Sequence, residues 1–583
     1  MKRSITVLSG IIALTLTTYS CKDSFLDQTP LGVYSEPGLA NQSGVDGALV
    51  MAYSSLRGTG GWYSSATNWL WGSIRGHDSY KGSESTDQAG EINPVERYET
   101  TSSTISVPNK WQGSYDGIGQ ANVVLRLMKQ ATDIPDAAKK VIEAEARFIR
   151  GFHHFEAKRA FNNIPFVPET ATTTADFKAL TNDKDVWPQI MEDLIFAYNN
   201  LPETQSQLGR VNKWAAAAYV GKAYLYQKNY TEAKKYFDMV IASGKTNSGE
   251  KYGLLDNYGD IFKGENDNSK EFVFAIQYTV GDGNQGNNGS AEMELTNPNG
   301  SGPGGCCGFF QPSQNLVNAY KTDANGLPLL DTYNASDINN FEANPTAPTY
   351  AGTVDPRLDW SVGRIGIPYL DWGPAQTAWI RNLANGGPYL PKKTVHYKAE
   401  AGKYQAAGGW GQSRIGKNYP LMRYADVLLM AAEAEVEAGT LTKALDYVNQ
   451  VRKRAANPAG FVKKLVDEKD PTKGYTTENA ANYVIKEYPT SAFASKDAAH
   501  KIIRFERRLE LAMEGHRFFD LVRWGIADTE INAYLQTESK KRSHLANTTF
   551  TKGQDEYLPI PINVINQSKT ADGKQGLKQN PGY

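Results

Sequence analysis

The sequence predicts a mainly α fold: tetratricopeptide-like helix pairs stacked as an α-solenoid, carrying a long irregular, loop-rich insert with short strands. Three observations predict it. Apolar residues recur at helical spacing in several separate blocks. Two blocks share a pattern of small and aromatic residues, Gly221, Tyr224, Tyr230, Ala233 and Phe237 in one and Ala432, Gly439, Ala444 and Val448 in the other, as in repeats where a small residue lets two helices touch. Between those blocks, residues 245–414 lose the helical period and become rich in Gly, Asn, Ser and Trp.

The elements follow in order. Lys2 and Arg3 precede an apolar run and then Thr18-Tyr19-Ser20-Cys21. Residues 1–20 are expected to be a secretory signal, too short in their apolar part to span a bilayer permanently. Cys21 sits at the cleavage point as in a lipobox, so it is expected to be residue one of the mature chain and to carry lipid; more than one acyl chain suffices as an anchor. A plain secretory signal with an incidental cysteine is the alternative. Residues 22–45 are polar and turn-rich, as a tether should be. A single domain, residues 21–583, is expected beyond the signal. Residues 46–108 read as irregular and aromatic. A helical block over about 110–244 includes a helix at 136–161, with Ile142, Ala146, Ile149, Phe152 and Phe155 on one face and Asn162 to Pro165 as its stop. A second helix at 185–201 ends at Pro202 and should pair with residues 144–161; residues 213–243 form a helix pair. Residues 271–280 alternate and read as a strand. Gly281 to Gly286 fits G-x-G-x-x-G, but no helix follows, so no phosphate cradle is expected. Residues 358–420 read as loops and short strands. The second helical block, about 415–583, holds a pair at 424–454 and an amphipathic helix at 501–524, making about four pairs in all.

Composition limits the chemistry. Formal net charge is −1, and no basic stripe argues for nucleic acid. Cys306 and Cys307 are adjacent; neighbours seldom pair, so no disulfide framework is expected, and they lack the spacing of a zinc site. None of the seven histidines falls in H-E-x-x-H, and no G-x-S-x-G elbow appears. Residues 265–268 lack the ligand spacing of a calcium loop. No metal and no cofactor are expected. What stands out is 11 Trp, 32 Tyr and 21 Phe in a polar, Gly-rich exported chain. Sugar rings stack their C–H faces on such side chains; burial in the core is the competing use of each ring. Long irregular segments tend to be functional, so ligand contacts belong on the loops.

Five stretches carry a family resemblance: Ala144 to Phe152 with Asn163-Ile164-Pro165; Met422 to Ala434; Phe505 to Leu511 with Gly515 to Gly525; Tyr557-Leu558-Pro559-Ile560-Pro561; and the terminal Gln579 to Tyr583. Together they resemble the SusD/RagB family of outer-membrane nutrient-binding lipoproteins. The resemblance implies a non-catalytic, surface-exposed, lipid-anchored protein. It would bind an oligosaccharide or polysaccharide and cap a SusC-like TonB-dependent transporter. It implies that Arg507, Arg508, Glu510, Glu514 and Arg523 are ion pairs and helix caps. Only the location of the site carries over: Trp62, Trp69, Trp71, Asp78, Tyr80 and Lys81 on the early segment, and Tyr369, Asp371, Trp372, Trp379, Arg381, Tyr404 and Trp410 on the insert. Pro368 and Gly373 bracket Asp371-Trp372, which could present a ring and a carboxylate together. Asp78 could equally cap a turn. Two other classes remain: an exported glycoside hydrolase, which needs two carboxylates roughly 5 to 10 Å apart such as Asp371 and Asp78, and a helical-repeat interaction module.

Overall fold

The computed structural model describes residues 36–59, 61–283, 288–338, 350–407, 413–570 and 576–583. The expected signal, Cys21 and Trp410 lie outside these residues.

Among the described residues, nine helices form one continuous stack: α1 (Gln42–Ser54), α2 (Ser106–Gln130), α3 (Asp136–Phe161), α4 (Trp187–Asn200), α5 (Lys213–Tyr226), α6 (Tyr230–Ser243), α7 (Tyr424–Ala438), α8 (Leu441–Ala455) and α9 (Lys496–Glu510). Each packs on the next through α8, and α9 packs on both α7 and α8. Small residues set the approach. A Cβ on Gly221 of α5 would stand 2.7 Å from the Phe237 ring of α6, and one on Gly151 of α3 would stand 3.0 Å from Asp193 of α4. The repeat pattern read from the sequence therefore corresponds to real helix crossings. Asn212 and Asn229 cap α5 and α6 through their side chains, supplying acceptors for otherwise orphaned N–H groups.

Two readings are corrected. Residues 46–54 belong to α1 rather than to an irregular segment. The helix expected at 501–524 is two, α9 and α10 (Arg517–Trp524), because Met513 and Gly515 adopt positive φ between them. Gly515 cannot carry a side chain: its Cβ would lie 2.2 Å from the Thr67 carbonyl oxygen. A further helix, α11 (Ala527–Glu538), follows.

The stack and its C-terminal helices enclose a network of buried charge. Glu510 accepts hydrogen bonds from Arg423, Arg454 and Arg357; Glu506 pairs with Arg357 and Arg452; Glu271 pairs with Arg423 and Arg454. The neighbouring arginines hold the Glu510 carboxyl far below its ordinary range against the opposing effect of burial. Arg507 pairs with Asp426 and Asp520, and Arg523 with Glu433, so these residues are structural ion pairs as expected.

The insert is built from loops and two-stranded sheets. β1 (Ser79–Gly82) pairs antiparallel with β3 (Phe309–Pro312), Tyr80 opposite Gln311. β2 (Phe272–Ile276) pairs with β8 (Tyr419–Arg423), β4 (Val362–Arg364) with β5 (Tyr389–Pro391), and β6 (Gln405–Ala407) with β7 (Ser413–Ile415). The β2 ring Phe274 packs edge-on against Phe148 and Tyr219, joining insert to stack. Long-range bonds close the chain: the Arg75 guanidinium donates to the carbonyl of Asp555 at 2.7 Å, and the Asn580 amide donates to the carbonyls of Phe161 and Leu558.

Candidate functional site

Most of the expected aromatic residues are interior. Trp69 and Trp71 lie in a six-residue π-helical turn, Trp69–Ile74, in which every residue is buried. Their indole N–H groups donate to the carbonyls of Trp62 and Tyr63. Tyr80 is fully buried and donates to Glu538. Lys81 is buried and donates to the carbonyls of Ser85 and Asp87. Asp78 pairs with Arg508 at 3.0 Å inside the protein, so it is neither a turn cap nor an exposed acceptor for sugar. Tyr369 and Trp379 share a satellite core with Leu390 and Val395. These seven residues offer no ring face or charged group at the surface. Their rings fill the interior and most of their polar atoms are held by partners within the fold.

The remaining expected residues fall into two places. Trp372 and Asp371 sit on the outer edge of the satellite core. The Trp372 indole donates to the carbonyl of His396, and both Asp371 oxygens accept backbone N–H groups, those of Lys398 and Ala399. Asp371 therefore clamps two loops together. Tyr404 is half-buried, its ring face covered by Gly264. Trp62 and Arg381 lie on a different edge, and this edge is the candidate site.

That edge can be traced residue by residue. Trp62 is half-buried and its indole reaches Glu294 at 3.5 Å. Glu294 also accepts from Arg414 of β7. The neighbouring Ser413 donates its N–H to Gly304, on the turn that carries Cys306 and Cys307. Gly308, on the same turn, abuts Arg381. Arg381 is exposed and pairs with Asp87 at 3.0 Å, and Asn382 donates to Glu84 at 2.7 Å. The result is a rim with one half-buried indole, an open Arg381–Asp87 pair and an amide, with the Glu294–Arg414 pair largely buried beneath Trp62. Indole faces and paired carboxylates, guanidinium groups and amides are the groups that meet the apolar face and the hydroxyls of a sugar.

Sequence reasoning left Glu84, Asp87, Glu294, Asn382 and Arg414 out of the site. Their signal lies in three-dimensional pairing between distant segments. The cysteines were also misjudged: Cys306 and Cys307 are joined as a disulfide. Gly304, Gly305 and Gly308, all at positive φ, let the chain turn tightly around them. Cys306 remains half-buried on the rim.

Behind the rim, Glu292 is fully buried and bonded to Ser65 and the Tyr278 hydroxyl. Burial pushes its carboxyl up to about 7, against the opposing pull of the Tyr278 hydrogen bond. Asp267, accepting from the Asn418 N–H, is likewise pushed up to about 7 by burial. Among the described residues, no cluster of His, Cys, Asp and Glu is arranged to hold a metal ion.

Comparisons with known proteins bear on the whole chain. The profile described as the SusD family matches residues 270–583, and one described as starch-binding, associating with the outer membrane, matches residues 59–225. A SusD-like protein P2 of Formosa agariphila is 25% identical across 98% of both chains. A SusD-like protein of Bacteroides ovatus is 28% identical over 46% of this chain and 49% of its own. Among solved structures, a laminarin-binding SusD-like protein superposes with a TM-score of 0.65 at 23% identity, covering 93% of this chain and all of that one. Surface glycan-binding protein A of Bacteroides thetaiotaomicron, in complex with laminarihexaose, gives 0.59 at 20% identity, covering 93% of this chain and 99% of that one.

Proposed function

The chain belongs to the SusD family, and from that premise we propose that it captures an oligosaccharide at the cell surface and delivers it to a SusC-like TonB-dependent transporter. The observation that carries the binding half is the rim. Trp62 is half-buried there with its indole on the Glu294 carboxylate, and the open Arg381–Asp87 pair stands along the same edge. Relatives of the same fold named for laminarin binding, and for a complex with laminarihexaose, support a glucose oligosaccharide as the ligand class. Stacking of the Trp62 ring on a pyranose face, with hydroxyls exchanging water for the paired side chains, gives modest affinity, roughly micromolar or weaker.

Location follows from the same premise. No helix among the described residues is long and apolar enough to cross a membrane. Lipid on Cys21 would hold the domain at the outer membrane, and the disulfide at Cys306–Cys307 suits an oxidising compartment outside the cytoplasm. The helical stack is the surface that would rest on the transporter. In this reading the protein acts by binding: Asp78 and Asp371, the carboxylates considered for hydrolysis, are held by Arg508 and by backbone N–H groups.

Affinity electrophoresis on a panel of polysaccharides tests the binding reading. The wild-type chain should be retarded by laminarin or a related polymer. Trp62→Ala should abolish most of that retardation, because it removes the indole on which the apolar face of the sugar would stack. Equal retardation of Trp62→Ala and wild type on every gel that slows the wild type would sink the rim as the site.

A further inference from the structure

A second cleft shares no residue with the rim. It measures about 720 Å³ and lies between α9, α11 and the turn at Leu330–Asn334, with Gly76 and His77 at its floor. Its charge is unusual for this protein. In the network under the stack, buried arginines are matched by carboxylates that approach closely. Here Arg504 and Arg508 stand one turn apart on the same face of α9, and Arg517 begins α10. Arg504 makes no ion pair; its guanidinium rests beside the Trp524 ring, and its Nε has no hydrogen-bond partner. Arg517 has a long contact, 3.3 Å, to the half-exposed Glu530. Arg508 is answered by Asp78 at 3.0 Å. Lys501 and Asp331 at the mouth neutralise each other, His500 pairs with Glu437, and Asp497 is exposed at the edge. The guanidinium side of the cleft therefore holds cationic groups with unused donors.

The floor adds a second, independent observation. His77 is 2% exposed, and neither ring nitrogen has a hydrogen-bond partner. Its ring stacks on Tyr534 at 4.1 Å, and the buried Tyr534 hydroxyl is also without a partner. Leaving a buried polar group unpaired costs about 1–3 kcal/mol, and three such atoms belong to two residues that line this cleft. Burial lowers the imidazole to about 3, so His77 is neutral and offers one donor and one acceptor. Burial, followed by the charge of Arg508, depresses the Arg517 guanidinium against the opposing charges of Glu530 and Asp78. An acceptor nitrogen calls for a hydroxyl, and spare guanidinium donors call for an oxyanion. A ligand with both is an acidic saccharide.

We propose that this cleft binds the carboxylate or sulfate group of an acidic saccharide, with Arg504 and Arg517 on the anion and His77 and Tyr534 on a neighbouring hydroxyl. This site does not rest on the rim, and Trp62 takes no part in it, so the two readings stand or fall separately.

Isothermal titration of the full chain with glucuronic acid, glucose 6-sulfate, inorganic sulfate and glucose tests the proposal. The two acidic sugars should bind and glucose should not. Arg504→Gln, which breaks no ion pair and should fold normally, should weaken acidic-sugar binding roughly ten-fold, the value of one charge-assisted hydrogen bond. Arg517→Gln should do the same. Should Arg517→Gln fail to fold, Arg504→Gln decides alone. Inorganic sulfate binding as tightly as the sugars would overturn the saccharide assignment and leave a simple anion site. Absence of acidic-sugar binding in the wild type, or undiminished binding in Arg504→Gln, would overturn the site itself.

Discussion

The helical stack and the loop-built face bury carboxylates in opposite ways. Where the stack meets the insert, Glu271, Glu506 and Glu510 are surrounded by Arg357, Arg423, Arg452 and Arg454, and the guanidinium groups hold Glu510 charged. Behind the face, Glu292 and Asp267 are bonded to neutral partners, and burial drives both toward protonation near neutral pH. Both regions are buried, so burial alone does not decide the outcome. The presence of a fixed cation does: its attraction offsets the desolvation of the carboxylate, whereas a hydroxyl or amide only reduces it. The stack is therefore a frame whose charges are locked, and the face is a region whose internal charge depends on pH.

The largest expected effect comes from unlocking the frame. Glu510→Gln leaves Arg357, Arg423 and Arg454 short of one shared negative charge and should lower the unfolding free energy by roughly 3–5 kcal/mol. Urea denaturation measures this, and a loss under about 1 kcal/mol would mean that the network contributes register rather than stability.

The next effect probes the face. The Glu292 carboxyl is raised in the folded state, so its contribution is fully present below the unfolded value of 4.5 and is lost as pH rises through about 7. Glu292→Gln should therefore match the wild type near pH 5. It should be the more stable protein at about pH 8, by on the order of 3 kcal/mol. The buried histidines act in the other direction: burial lowers His77, His153 and His154 to about 3, so their contribution is present above 6.5 and fades as pH falls. They are shared by wild type and variant and cancel in the comparison. Parallel stability–pH curves for the two proteins would show that Glu292 stays charged.

The smallest effect separates structure from binding within the insert. Asp371→Ala removes two acceptors from the Lys398 and Ala399 N–H groups and should cost about 1 kcal/mol, with retention on polysaccharide gels unchanged. A lost retention with intact stability would move the site from the Trp62 rim to the Trp372 edge.

The frame was largely legible in the sequence and the face was not, for physical reasons. A helix that buries one side repeats apolar residues every three to four positions, so the helix read at 136–161 has those bounds in the structure. α1 is hard to read because it buries only Val45, Leu49 and Ala52, while Val50 and Met51 are exposed and blur its apolar spacing. The break between α9 and α10 escaped because apolar spacing continues through it, while Met513 and Gly515 turn the backbone. For the face, the tryptophan content pointed to the correct segments without saying which ring faces outward. Trp62 and Trp69 are seven residues apart, yet Trp69 is fully buried and bonded to the Trp62 carbonyl while Trp62 is half-buried. The acid–base pairs along the rim join residues such as Arg414 and Glu294, 120 positions apart, and no local pattern announces them.

The closing bond from Arg75 to the carbonyl of Asp555 spans 480 positions, and β1 waits for β3 from the middle of the chain. A polypeptide emerging from its N-terminus thus delivers Trp62 early and the parts that hold it last. Such non-local closure slows folding, because the entropy of joining remote segments must be met before their contacts form. Ligand competence is consequently a property of the finished chain: clipping the last thirty or so residues should leave much of the helical stack intact while loosening the segment on which the rim is hung.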